Sequence, residues 1–228
     1  MEAEARQRKR RVVMVALAAC LVVAGIGGTL AWFSAQSQLT NTFTVGSITP
    51  PTTEPEDPGM EIPKGDPNLS GNLYEPSWKN ESKIGPGAYV PKDPYVGIGK
   101  DSEPAYVYIY VKNKFTSSEK PYFQMQSGWE AVQANQATAG AGYYTEGLFV
   151  YGAANNPTKL DPGKAPDSKD AWTKTPLFTH VLTSDGFTSV AGDIEVYAYV
   201  AATSSEKDTI DDLDAAAKAW VGKIEATA

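Results

Sequence analysis

One cysteine, Cys20, and one histidine, His180, occur in 228 residues. A structural zinc site takes four Cys or His ligands, and a histidine-activated nucleophile needs a histidine with partners around it, so neither usual assembly can be built here without heavy use of carboxylates. The H-E-x-x-H and G-x-S-x-G patterns are missing, as is a glycine-rich phosphate loop after a strand. These absences exclude most enzyme chemistry: no catalytic residue, metal or cofactor is expected, and His180 reads as a strand histidine at a surface or rim. Asp208, Asp211, Asp212 and Asp214 lack the glycine and distal glutamate of an EF-hand loop. Carboxylates suit the start of a helix in any case. Asp161, Asp167 and Asp170 read as loop residues.

Positive charge is also scarce outside the N-terminus. The chain holds 20 Lys+Arg and 27 Asp+Glu; five basic and two acidic residues fall within the first thirty-one, leaving 15 against 25 in the remainder. That acidic balance disfavours nucleic acid or an anionic membrane as partner. What is abundant is aromatic and turn-forming: Tyr 12, Trp 5, Phe 7, Gly 20 and Pro 16. Short tyrosine-rich strands between Gly/Pro turns point to an all-β sandwich, and the length suits one domain of ordinary size.

The N-terminus has the layout of an export signal. Arg6, Arg8, Lys9, Arg10 and Arg11 precede an uncharged run from Val12 through Phe33. Its fully apolar part, to about Ile26, is shorter than the roughly 20 residues a spanning helix needs. Gly25, Gly27 and Gly28 then weaken the helix. Thr29 and Ala31 offer small side chains for cleavage before Trp32, so residues 1–31 are expected to form a signal helix removed by a signal peptidase. An uncleaved signal anchor is the alternative, because no charge follows until Glu54, and it would be the chain's one link to a membrane. Leu17-Ala18-Ala19-Cys20 also has the form of a lipid-attachment box. If Cys20 leaves with the signal, the product has no disulfide and is held by packing or by assembly with its own copies.

Beyond the cut, Leu39, Phe43 and Val45 alternate with Thr40, Thr42 and Thr44, which predicts a strand within 32–49. Residues 50–71 are dense in proline, glycine and carboxylates and read as a linker, or as a long loop that lets the first strand move away. The domain proper then runs over 72–228. Asn72 to Trp78, Pro94 to Gly99, Pro104 to Asn113, Tyr122 to Gln126, Tyr143 to Tyr151, Phe178 to Leu182 and Asp193 to Thr203 read as strands. Asn155 to Asp170 reads as a surface loop. In the strongest strand Ala105, Val107, Ile109 and Val111 oppose Tyr106, Tyr108 and Tyr110, and Ile194, Val196, Ala198 and Val200 oppose Glu195, Tyr197 and Tyr199 in another. Such a design puts the aliphatic rows in a core and lets the tyrosines meet if the strands pair. Ile210, Leu213, Ala217, Trp220, Val221 and Ile224 recur at helical spacing, so one amphipathic helix is expected over 209–224, with Thr209 and Asp212 as capping pair.

The junction Gly28-Thr29-Leu30-Ala31-Trp32-Phe33-Ser34, followed by Thr40-Asn41-Thr42-Phe43-Thr44-Val45-Gly46, resembles the SipW-type export signal and first strand of the TasA/camelysin family of Gram-positive surface and biofilm-matrix proteins. Gly85-Pro86-Gly87 through Val90-Pro91-Lys92-Asp93-Pro94, then Ala105-Tyr106-Val107, is similar to that family's turn-and-strand pattern. Pro176-Leu177-Phe178, Ile194 to Tyr199 and the Ala216 to Trp220 helix are similar to its C-terminal part. The resemblance implies a jelly-roll-like antiparallel sandwich and, for matrix members, polymerisation by donation of an N-terminal strand to the next subunit. Carried over, the donor includes Leu39, Phe43 and Val45. The expected role is a secreted structural subunit of a fibre or surface layer on a Gram-positive cell. The alternative is a monomeric surface module that binds glycan or protein through exposed tyrosines such as Tyr106, Tyr108 and Tyr110. A camelysin-type metallopeptidase lacks a ligand set here.

Overall fold

The computed structural model describes residues 39–43, 48–57, 59–79, 84–188, 192–202 and 209–227, the first five by their backbone. The expected signal helix, with Thr29, Ala31 and Trp32, lies outside the described residues, as does Val45.

The described residues are all-β with one helix. The larger sheet follows the order β1 (Leu39–Phe43), β14 (Ile194–Ala202), β6 (Ala105–Asn113), β9 (Tyr143–Ala153), β7 (Tyr122–Gln124), β13 (His180–Leu182) and β4 (Tyr89–Pro91). To it are added β8 (Trp129–Gln136) and β10 (Asn156–Pro157) on β9, and β11 (Lys159–Leu160) on β6. A smaller sheet runs β12 (Ala171–Trp172), β5 (Tyr95–Ile98), β3 (Leu73–Tyr74), β2 (Leu69–Ser70). The strand pairs are antiparallel apart from β1 on β14, which is parallel.

Period-two patterning sets the layers. Ala105, Val107, Ile109 and Val111 of β6 and Val196, Ala198 and Val200 of β14 share one core with Leu73, Val96 and Ile98 of the small sheet, together with Phe123, Phe149 and Phe178. This is the sandwich interior. The opposite face of β6 and β14 carries the tyrosines, in register: Tyr110 faces Tyr197 and Tyr108 faces Tyr199, with ring centroids 6.0 and 5.9 Å apart. Each such cross-strand pair contributes about 0.2–1 kcal/mol.

Helix α1 (Ile210–Ala226) covers that face and buries Leu213, Ala217 and Trp220 against it. Its start is fixed as the sequence predicts. Thr209 Oγ1 accepts from the Asp212 N–H at 3.2 Å, and Asp212 Oδ2 accepts from the Thr209 N–H at 3.2 Å. The helix therefore ends the reading of Tyr106, Tyr108 and Tyr110 as an exposed row: Tyr108 and Tyr110 are buried, and Tyr106 is partly so.

Two expected loops are more tightly held than their composition suggests. The 155–170 segment contributes β10 and β11 and buries Leu160 in the core. Residues 50–71, read as a linker, lie bonded to the domain. Thr53 bridges Glu61, Ile62 is buried, and Leu69–Ser70 forms β2. Proline removes ladder donors, but side chains of the domain supply the partners that a sheet would have supplied.

Candidate assembly edge and its surroundings

Leu39 and Phe43, the donor-strand residues within the described chain, occupy the two ends of β1, opposite Val196 and Val200 of β14. β1 is a border strand of the large sheet, and β14 is its neighbour there. This is the position an added strand would take, filled in the structure by the chain's own first strand. The pairing is parallel, so the chain between the two strands must travel the length of the domain before returning.

Asp170 anchors the segment that follows. Its Oδ2 accepts from the N–H of Thr53 at 2.9 Å, from both threonine hydroxyls, Thr52 and Thr53, at 3.1 Å, and from the Thr52 N–H at 2.5 Å, while Oδ1 accepts from the Lys100 N–H at 2.8 Å. Partial burial pushes this carboxyl up, but the bonds from Thr52, Lys100 and Thr53 outweigh it and hold the group below its usual range. Trp172 Nε1 donates to the Thr53 carbonyl at 2.9 Å and Tyr95 donates to Glu56 at 2.9 Å. At Gly99 a Cβ would stand 2.5 Å from the Pro50 carbonyl, so only glycine lets the segment lie this close. The sequence gives no hint of this anchor, because Asp170 sits in a Pro/Gly-rich stretch with no period.

The helix is tied to the tyrosines by carboxylates. Tyr108 donates to Asp214 at 2.9 Å, and Tyr110 donates to Glu225, which also lies 3.4 Å from Lys112. The Tyr110 hydroxyl, with help from Lys112, holds the Glu225 carboxyl below its ordinary range. Burial and the Asp214 bond push the Tyr108 hydroxyl up. Thus Asp212 caps the helix and Asp214 receives Tyr108, while Asp208 of the same cluster lies outside the described residues. Between α1 and the β8–β9 hairpin lies a cleft of about 410 Å³ lined by Gln133, Asn135, Glu146, Lys218 and Glu225 over Tyr110. Asn135 and Lys120 both bond Glu146.

His180 is half-buried in β13, its ring stacked on exposed Tyr89 of β4 with centroids 3.7 Å apart, and its Nδ1 lies 3.1 Å from Thr179 Oγ1. β13 is the neighbour of β4, the strand at the other border of the large sheet.

A buried ion pair went unforeseen. Lys92 Nζ lies 2.7 Å from Glu75 Oε2, with the side chains 7 % and 1 % exposed. Glu75 falls in the stretch Asn72 to Trp78, read as a strand, and Lys92 in the turn Pro91 to Pro94, and no periodicity marks either side chain as internal.

No protein-family model, no curated protein and no solved structure matches this chain.

Proposed function

We propose that this protein is an exported structural subunit, without enzymatic activity, that assembles with copies of itself into a fibre or surface layer in the extracellular matrix of a Gram-positive cell, by exchange of its first strand. The observation that carries this reading is β1 at the sheet border, paired along one side to β14. The same strand from a neighbouring subunit would make the same five residue pairings, so exchange replaces bonds one for one and is a low-cost route to assembly. The acidic, cysteine-poor composition and the resemblance of the 28–46 junction to the TasA/camelysin family support the same reading.

The test is electron microscopy of the form beginning at Trp32 beside one lacking residues 32–45. Filaments from the first and dispersed, folded monomers from the second are expected. Filaments from the truncated form would overturn the strand-exchange mechanism.

A monomeric binding module is the second reading. Its earlier basis, an exposed tyrosine row, is removed by α1; the observation now favouring it is the cleft beside Lys218 and Glu225, whose amides and carboxylates suit a hydroxyl-rich ligand. A strict monomer in size-exclusion chromatography at high concentration would favour it.

A further inference from the structure

Glu75 follows β3 directly and Lys92 precedes β5, so the turn after one strand meets the entry to its neighbour inside the protein. The contact is closed over on several sides. Trp78 lies across the ammonium, with Nζ 4.3 Å from the ring centroid. Asp93 is buried alongside and accepts from the Ser77 N–H at 2.8 Å. Glu75 Oε1 is fully buried and has no hydrogen-bond partner. An ionised carboxylate held so is expensive, because one oxygen has lost water and gained nothing in return. Burial pushes the Glu75 carboxyl up and Lys92 opposes that push only in part.

We propose that Lys92 and Glu75 condense to an amide, forming an intramolecular Lys–Glu isopeptide bond. The ion pair and the neutral pair differ by one proton moved along the existing 2.7 Å contact, and burial of the Glu75 carboxyl favours its protonated form. The lone pair of the neutral Nζ then attacks Cδ of the protonated carboxyl. The C–N bond forms, the C–O bond to the hydroxyl breaks, and that hydroxyl leaves as water with a proton from the nitrogen. No oxidant, reductant or cofactor is consumed. The product carries no charge, and Oε1 becomes an amide carbonyl oxygen, whose lack of a partner costs less than that of a carboxylate. Exclusion of solvent protects the bond from hydrolysis. The chain's one cysteine lies in the segment expected to be removed, so this bond would do for the exported domain what a disulfide does elsewhere.

The experiment is intact-mass measurement of the folded protein under denaturing conditions, followed by tryptic digestion. The expected mass is that of the sequence less one water. The digest should contain a branched peptide joining residues 65–79 to 84–100, uncut at Lys92, and Lys92→Arg should run at its full sequence mass. A folded wild-type protein at full sequence mass, with Lys92 cut normally, overturns the proposal. So does a water loss that maps to any other pair of residues. The wild-type spectrum decides the matter even if Lys92→Arg fails to fold.

Discussion

Trp220 is the side chain on which the second core turns, and replacing it separates that core from the sandwich interior. Its indole is 5 % exposed and meets Tyr110, Tyr197 and Tyr199, with ring centroids 6.4, 6.5 and 5.3 Å away. Truncation of a buried aromatic to alanine costs about 3–5 kcal/mol, a large part of the roughly 5–15 kcal/mol that a domain possesses. At about 2–4 °C per kcal/mol for a unit of this size, Trp220→Ala should lower the melting temperature by about 6–20 °C. A second variant sharpens the test. The Trp220 Nε1–H is buried with no partner, a burden of about 1–3 kcal/mol. Trp220→Phe removes that donor while keeping a ring against the tyrosines, so it should be much milder than Trp220→Ala. Chemical denaturation followed by circular dichroism gives both values. A loss below about 1 kcal/mol for Trp220→Ala, well under the range for a buried aromatic, would refute the reasoning. So would equal losses for the two variants, since shape and donor would then not be separable.

Asp170→Asn should loosen residues 50–71 without unfolding the sandwich, because it weakens the charge-assisted bonds to Thr52, Thr53 and Lys100; limited proteolysis is expected to cut within 50–71 several times faster than in the wild type. Acid should loosen the helix. The Glu225 and Asp170 carboxyls both titrate below their ordinary values in the folded state, so the stability they contribute is present above the unfolded carboxylate range of about 4 and lost as pH falls through their folded values. Near-ultraviolet dichroism of the tyrosines should therefore change as pH falls below the ordinary carboxylate range of about 4, and Glu225→Gln should flatten that change. Gly97→Ala should cost about 1–3 kcal/mol, because a Cβ there would stand 2.4 Å from the Trp172 ring; an unchanged melting temperature would show that Trp172 can step aside.

The alternating strands and the helix are legible from sequence because each has a period. β6 and β14 bury their aliphatic rows and pair their tyrosines as expected, and Thr209 with Asp212 starts the helix. What escapes are contacts without a period. Asp170 binds backbone over a hundred positions away, and nothing local to Pro50 through Gly71 announces that the domain will supply its partners. The fate of the tyrosine face was also open, since alternation marks a second face but cannot name its cover. Glu75 and Lys92 each lie beside a proline, and charge ordinarily signals exposure. Of the candidate donor residues, Leu39 and Phe43 are placed in a strand at the sheet border.

The central claim concerns which subunit supplies the strand beside β14. Asn41 stands opposite Ala198 in the β1–β14 register, and neighbouring strands bring such residues within disulfide range. The form beginning at Trp32 has no native cysteine, so the pair Asn41→Cys and Ala198→Cys is free of competing thiols. After assembly and oxidation, strand exchange predicts a ladder of covalent oligomers on a non-reducing denaturing gel, collapsing to one band on reduction. A single cross-linked monomer from assembled material would contradict it.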